Sequence, residues 1–237
     1  MKEHTYKRIP GMFNYELIYK AMVKRFPSGS TFLEIGSFCG RSGCYMATEI
    51  YNSGKDIKWN MVDSWGWNGH FDITYTDATN QKIDLKLTKQ QAKNYAEKAV
   101  SQFTDFTTIH HGQSEKASKL FEDKAFDFIW VDGDHTEKGC RLDVEAWLPK
   151  MKPHGIIAGH DYLFSSLEGY VADAVNDIFG ETSYIDYEYI KTLIDLPDWI
   201  TEDVYKTWRD RKNSSKKLPH AIVYGDAWLV DLALHKF

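Results

Sequence analysis

Two spacings of apolar residues alternate along the chain. Short runs at Thr31 to Ile35, Ile57 to Val62, Thr107 to His110, Phe126 to Val131 and Gly155 to Ala158 are apolar enough to read as buried strands. Between them, apolar residues recur three or four positions apart, the spacing of one helix face. These segments are Asn14 to Arg25 (with Leu17, Ile18, Met22 and Val23), Ser42 to Tyr51, Thr88 to Phe103, Ser114 to Phe121, Glu137 to Trp147 and Tyr170 to Phe179. Thr88 has the side chain of an N-cap, and Pro27-Ser-Gly and Pro149 close the helices before them. Strand and helix in strict alternation predict an α/β fold with a largely parallel sheet covered on both faces. Near the end, Ala221 to Tyr224 and Ala227 to Leu232 flank Gly225-Asp226, which predicts an antiparallel hairpin. Ser64 to Leu87 is expected to be a long loop rich in Trp, Asn, Asp and Thr.

The first strand runs into Gly36-Ser-Phe-Cys-Gly40, directly ahead of a helix. Two glycines there permit backbone angles closed to other residues and leave room for a ligand, while the helix start offers unpaired N–H groups. This is the layout of a nucleotide-cofactor loop. The third glycine of a Gly-x-Gly-x-x-Gly fingerprint is missing, and Phe38 stands where its middle glycine would be, which disfavours a dinucleotide. Glu34, at the strand end, is placed to accept hydrogen bonds from a cationic group. In an open parallel sheet, ligands bind outside the carboxyl ends of the strands. Glu34, Asp63, Asp132, His160 and Asp161 all fall at such ends. Asp63 follows Gly40 by 23 residues, near the roughly 20 expected of a ribose-binding carboxylate; the alternative is a surface Asp that caps a loop.

Four stretches, in order, resemble class I S-adenosylmethionine-dependent methyltransferases. They are Glu34-Ile-Gly-Ser-Phe-Cys-Gly-Arg-Ser42, Met61-Val-Asp-Ser-Trp65, His111-Gly-Gln-Ser-Glu115 and the segment from Phe126 to Tyr162. The last, with VDGDH and GHDY strand ends, is similar to a small-molecule O-methyltransferase-like branch. The likeness spans about 9 to 178 and returns at about 221 to 232. It implies a Rossmann-like, doubly wound, mostly parallel seven-stranded sheet ending in the antiparallel hairpin. It implies one domain over residues 1–237, with variable insertions at about 64–87 and 181–218. S-adenosylmethionine is the expected cofactor: Gly36, Ser37, Gly40 and Ser42 shape the methionine pocket, Glu34 supports it, and Asp63 holds the ribose. Gln113 and Ser114 contact the adenine, with a helix N-cap at Ser114 as the plainer role, and Asp132 also borders the cofactor.

The same resemblance makes Asp132, His160 and Asp161 a divalent-metal site, for Mg²⁺ or Mn²⁺, beside the methyl donor. An imidazole at His160 departs from the family's commoner carboxylate or amide and suits Mn²⁺, Fe²⁺ or Zn²⁺ better than Mg²⁺. Without a metal, His135 or His160 is the candidate general base, since imidazole titrates near neutrality. The plainer reading of His135 is a helix-start ring bonded to backbone, and that of Asp134 is an N-cap. The expected reaction is methyl transfer to an oxygen of a small molecule, sugar or phenol-like. A nicotinamide-dependent oxidoreductase and a non-catalytic S-adenosylmethionine-binding protein are the alternatives.

Composition narrows the partners. The chain has 237 residues with 29 Lys+Arg against 34 Asp+Glu, a net charge of -5, so a broad nucleic-acid surface is not expected. No apolar run approaches the length of about 20 residues that spans a bilayer, and the first residues lack the apolar core of a signal peptide, so a cytoplasmic location is expected. Cys39, Cys44 and Cys140 form neither a disulfide framework nor a Cys-x-x-Cys pair and are expected to be reduced packing residues. Trp65, Trp67, His70 and Phe71 form either an aromatic wall for the acceptor or the anchors of their own loop. Ser183 to Lys217, aromatic and then basic, is a candidate lid or homodimer contact, with a solvated basic loop as the alternative for Lys206 to Lys217.

Overall fold

Thr31–Ile35 forms β1 and Lys58–Asp63 forms β2 because Phe32, Leu33 and Ile35 of the one and Trp59, Met61 and Val62 of the other are apolar and buried on the two faces of a sheet. The computed structural model describes residues 1–162, 165–166, 169–179, 191–195, 198, 201–203 and 227–234. The fold is α/β and Rossmann-like, with a mostly parallel sheet of six strands and a separate antiparallel hairpin. The chain divides into two units, Met1–Phe121 and Glu122–Phe237.

In the first unit, α1 (Glu16–Arg25) precedes β1, α2 (Arg41–Ser53) joins β1 to β2, and α3 (Lys89–Val100) leads to β5 (Thr107–His111) and the short α4 (Ser114–Ala117). β1 and β5 flank β2, both parallel to it, in a register that pairs Ile35 with Val62 and Asp63 with His111. Their carboxyl ends therefore finish side by side. Phe32, Leu33 and Trp59 of this ladder and Ile18 and Met22 of α1 are wholly buried.

Residues 64–87 are not a plain loop. They carry β3 (His70–Thr76) and β4 (Lys82–Thr88), paired antiparallel with Ile73 opposite Leu85. The signal is a period-two alternation, Phe71-x-Ile73-x-Tyr75 and Ile83-x-Leu85-x-Leu87, around an Asp77-Ala-Thr-Asn80 turn. Its apolar face lies on Cys39, Trp65, Ala92 and Ala96, and its charged face is in water. Thr88 ends the hairpin and caps α3 in a full capping box with Gln91.

The second unit holds β6 (Phe126–Val131), α5 (Glu137–Trp147), β7 (Met151–Gly159), a two-residue pair β8 (Ser165–Ser166) and β9 (Gly169–Tyr170), α6 (Val171–Phe179) and β10 (Trp228–Asp231). β7 lies between β6, to which it is parallel, and β10, to which it is antiparallel. It is longer than the expected Gly155 to Ala158. A register shift between Phe126 and Phe128 takes up the residues around Pro153, which has no N–H for a regular ladder. The expected seventh strand, at Ala221 to Tyr224, and most of 181–218 fall outside the described residues. Among the described residues no helix is long and apolar enough to cross a membrane.

Candidate functional site

In the first unit the loop after β1 is held open by its backbone. Gly36 and Gly40 have φ of +88° and +78°, and the Gly40 N–H closes a turn on the Ser37 carbonyl at 2.6 Å. A Cβ at Gly40 would lie 2.8 Å from the Ala96 Cα, so both conformation and helix packing require glycine. Phe38 has φ +44°, so the position of the absent middle glycine keeps a left-handed backbone despite its side chain.

Asp63 stabilises that conformation. Its Oδ2 accepts from the Phe38 N–H and its Oδ1 from the Trp65 N–H, both at 2.7 Å. The Trp65 indole N–H in turn donates to the Phe38 carbonyl at 2.9 Å. Burial raises the Asp63 carboxyl pKa, opposed by the Trp65 and Phe38 amides. A carboxylate oxygen can accept more than one hydrogen bond, so these two amides do not exhaust the acceptor capacity of Asp63.

The remaining candidates of this unit lie around the same strand ends. Glu34 is wholly buried and accepts from the Tyr19 hydroxyl at 2.8 Å, while Ser37 and Ser42 are buried in the loop and the first turn of α2. The Gly112 N–H donates to the Asp63 carbonyl at 2.9 Å, which ties the start of the Gln113-Ser114 segment to β2. Gln113, not Ser114, is the N-cap residue of α4, and its side chain makes no capping bond.

Trp65 is buried among Cys39, Ile73, Leu87 and Ala92, so it anchors the segment rather than walling an acceptor. Trp67, Phe71 and Phe38 form a partly exposed group with ring centroids 5.3 to 5.8 Å apart. His70 is exposed. Arg41 was not foreseen. Its guanidinium donates to the Ile9 carbonyl at 3.1 Å and the Thr76 carbonyl at 2.9 Å, between the rings of Tyr6 and Tyr75. It thereby joins the N-terminal arm and the hairpin to the residue after Gly40. Nothing in the sequence pattern marks an arginine whose partners are distant carbonyls.

The second unit gathers its acidic residues and histidines. The His160 N–H donates to the Val131 carbonyl at 3.1 Å, which brings the end of β7 beside the end of β6. Gly159 permits this approach, since a Cβ there would collide with the Val131 carbonyl. Asp161, with φ +56°, turns its carboxylate back into the cluster. The His135 Nε2 lies 3.3 Å from Asp161 Oδ2 and 3.6 Å from Asp132 Oδ1, and His160 Nδ1 lies 3.2 Å from the same Asp161 oxygen.

Hydrogen bonding to Asp132, helped by the charges of Asp132, Asp161 and Asp134 and resisted by burial, lifts His135 to a pKa of about 9. Burial would raise Asp161, yet the hydrogen bond from His160 and the charges of both histidines hold its carboxyl below the ordinary value. The ring of His135 faces two carboxylates, not backbone. Asp134 is not the N-cap either. Thr136 caps α5 by accepting from the Gly139 N–H at 3.0 Å, and Asp134 accepts from the Thr136 N–H at 2.9 Å. The donor atoms of Asp132, His135 and Asp161 lie within 4.8 Å of one another, an arrangement able to hold a cation. Cys39, Cys44 and Cys140 are free and buried, and burial pushes the Cys39 and Cys140 thiols up to about 12.

A methyltransferase-domain family matches residues 33–162, more than half of the chain and the stretch that carries the loop, Asp63 and the Asp132 cluster. The chain belongs to this family of S-adenosylmethionine-dependent methyltransferases. The nicotinamide reading of the loop is set aside by that match. No curated protein matches the sequence. Among solved structures, an O-methyltransferase from Bacillus cereus in complex with SAH shares 14% identity over 69% of this chain and 67% of that one, with a TM-score of 0.48. A protein from Staphylococcus aureus, assigned as a caffeoyl-CoA O-methyltransferase, shares 17% identity over 66% and 61%, with a TM-score of 0.44. One from Galdieria sulphuraria, assigned as a sarcosine dimethylglycine methyltransferase, shares 14% over 60% and 43%, with a TM-score of 0.38. The chain thus spans less than two thirds of the last two. The family assignment rests on the family match.

Proposed function

We propose that this methyltransferase transfers the methyl group of S-adenosylmethionine to a hydroxyl oxygen of a small molecule, in the manner of the O-methyltransferase-like branch its VDGDH and GHDY segments resemble. The observation that carries this reading is the meeting of Asp132, His135 and Asp161. A hydroxyl must lose its proton as it is methylated, and a sulfonium donor needs little further activation, so catalysis needs alignment and a deprotonated acceptor.

On this reading the first unit binds the donor. Gly36, Ser37, Gly40 and Ser42 enclose its amino-acid tail, Glu34 meets the ammonium group, Asp63 takes the ribose hydroxyls, and Gln113 and Ser114 border the adenine. The second unit works on the acceptor. Two carboxylates and an imidazole with converging donor atoms fit a divalent cation, with Asp132, Asp161 and His135 as its ligands and His160 holding Asp161 in place. Such an ion, when bound, would lower the pKa of the acceptor hydroxyl. In its absence Asp132 and Asp161 orient the hydroxyl, and His160, in its neutral form, receives its proton. His135 serves poorly as the base near neutrality because its two carboxylate neighbours keep it protonated.

The test is transfer of radiolabelled methyl from S-adenosylmethionine to panels of sugars, catechol-like phenols and amines, with EDTA or with added Mn²⁺ or Mg²⁺. Product on hydroxyl acceptors supports the proposal; product confined to amines refutes it.

A further inference from the structure

Glu34 is a carboxylate at the end of a strand whose neighbours Phe32, Leu33 and Ile35 are apolar and buried, and it is itself wholly buried. A carboxylate in such a place needs hydrogen-bond donors to remain charged and to hold one orientation. One donor comes from α1: the Tyr19 hydroxyl lies 2.8 Å from Glu34 Oε1. Tyr19 is also wholly buried, where phenylalanine would fill the same volume without a polar group to satisfy.

The ring of Tyr19 has little freedom. Tyr15 lies 5.2 Å away edge-on, Phe13 5.6 Å away, and Trp59 of β2 6.1 Å away. A ring held on three sides delivers its hydroxyl to one point. On the other side of the carboxylate, α2 carries Gly43, where a Cβ would collide with the Met61 side chain and lie 3.5 Å from Glu34 Oε2. The clash is with the movable end of Met61, and the 3.5 Å to Glu34 is ordinary contact, so α2 lies against this carboxylate.

We propose that Tyr19 is a positioning residue for the methyl donor: it holds the Glu34 carboxylate in the orientation that receives the ammonium group of the donor's amino-acid tail. This rests on the assignment of Glu34 to that tail. Tyr19 touches neither donor nor acceptor. Its effect is on the tail alone, because the ribose and adenine are assigned to Asp63, Gln113 and Ser114.

The test compares wild type with Tyr19→Phe by calorimetric titration of two ligands, S-adenosylhomocysteine and 5′-methylthioadenosine, which lacks the amino-acid tail. The expected result is roughly tenfold weaker binding of S-adenosylhomocysteine by the variant, with the binding of methylthioadenosine unchanged. In a Glu34→Gln background, adding Tyr19→Phe should produce little further loss. Equal binding of S-adenosylhomocysteine by wild type and Tyr19→Phe would overturn the proposal. So would a parallel loss of both ligands, which would mean a general distortion of the pocket. Failure of wild type to bind either ligand would instead overturn the assignment of the donor pocket itself. If Tyr19→Phe does not fold, Tyr19→Met removes the hydroxyl with a flexible side chain that adapts to the same space, and selective loss of the tail-bearing ligand remains the criterion.

Discussion

The amide of Phe38 and the carboxylate of Asp63 are joined by a 2.7 Å hydrogen bond that links the left-handed turn of the cofactor loop to the end of the neighbouring strand. With Trp65 bonded to the other carboxylate oxygen, Asp63 braces two backbone segments at once. Its assignment to the ribose and its structural role are therefore inseparable.

Replacing Asp63 with Ala leaves two loop amides without their acceptor. The expected cost is about 1–3 kcal/mol of stability together with a loss of S-adenosylhomocysteine affinity greater than roughly tenfold. Thermal unfolding and calorimetry on the same preparation check both. Unchanged stability would mean the loop holds its shape without this carboxylate.

Gly40 and Gly54 offer an internal comparison. Both have positive φ, but a Cβ at Gly40 meets Ala96 while one at Gly54 meets nothing within 4 Å. Gly54→Ala should cost about 1–2 kcal/mol, the conformational penalty alone. Gly40→Ala should cost more and should weaken donor binding, as denaturant melts and ligand titration would show.

His135 should titrate with a pKa of about 9 in the metal-free protein, measurable by NMR of its ring protons. Its folded pKa lies above the ordinary value of about 6.5. Its contribution to stability is therefore fully present below about pH 6.5 and is lost as the pH rises through about 9. In His135→Gln that part of the alkaline decline in melting temperature should vanish. Added Mn²⁺ should compete with the proton and lower the apparent pKa.

Asp132→Asn keeps the shape of the side chain but removes its charge. Turnover should fall by roughly 10² to 10⁴-fold, while S-adenosylhomocysteine binding stays close to wild type. Steady-state assays and calorimetry separate the two effects, and a complete loss of binding would move Asp132 to the donor pocket.

The features legible in the sequence were those decided over a few adjacent residues. The glycine loop, the Thr88 cap and the apolar run of β6 each depend on local conformation or on burial of a short segment, so residue type and spacing are enough to reveal them. The hairpin within 64–87 carries a period-two alternation as well, but the abundance of polar and aromatic residues there reads as a loop, and the pairing of its strands corrects that reading. Other features depended on the path of the chain. That His135 faces Asp161, that Arg41 binds the carbonyls of Ile9 and Thr76, and that Tyr19 reaches Glu34 are contacts between residues 15 to 35 positions apart. Hydrogen bonds and ion pairs act only within a few ångströms, and the separation of two side chains in space is set by strand register and helix packing. Sequence alone marked the residues able to do this chemistry, and the tertiary structure decided which of them meet.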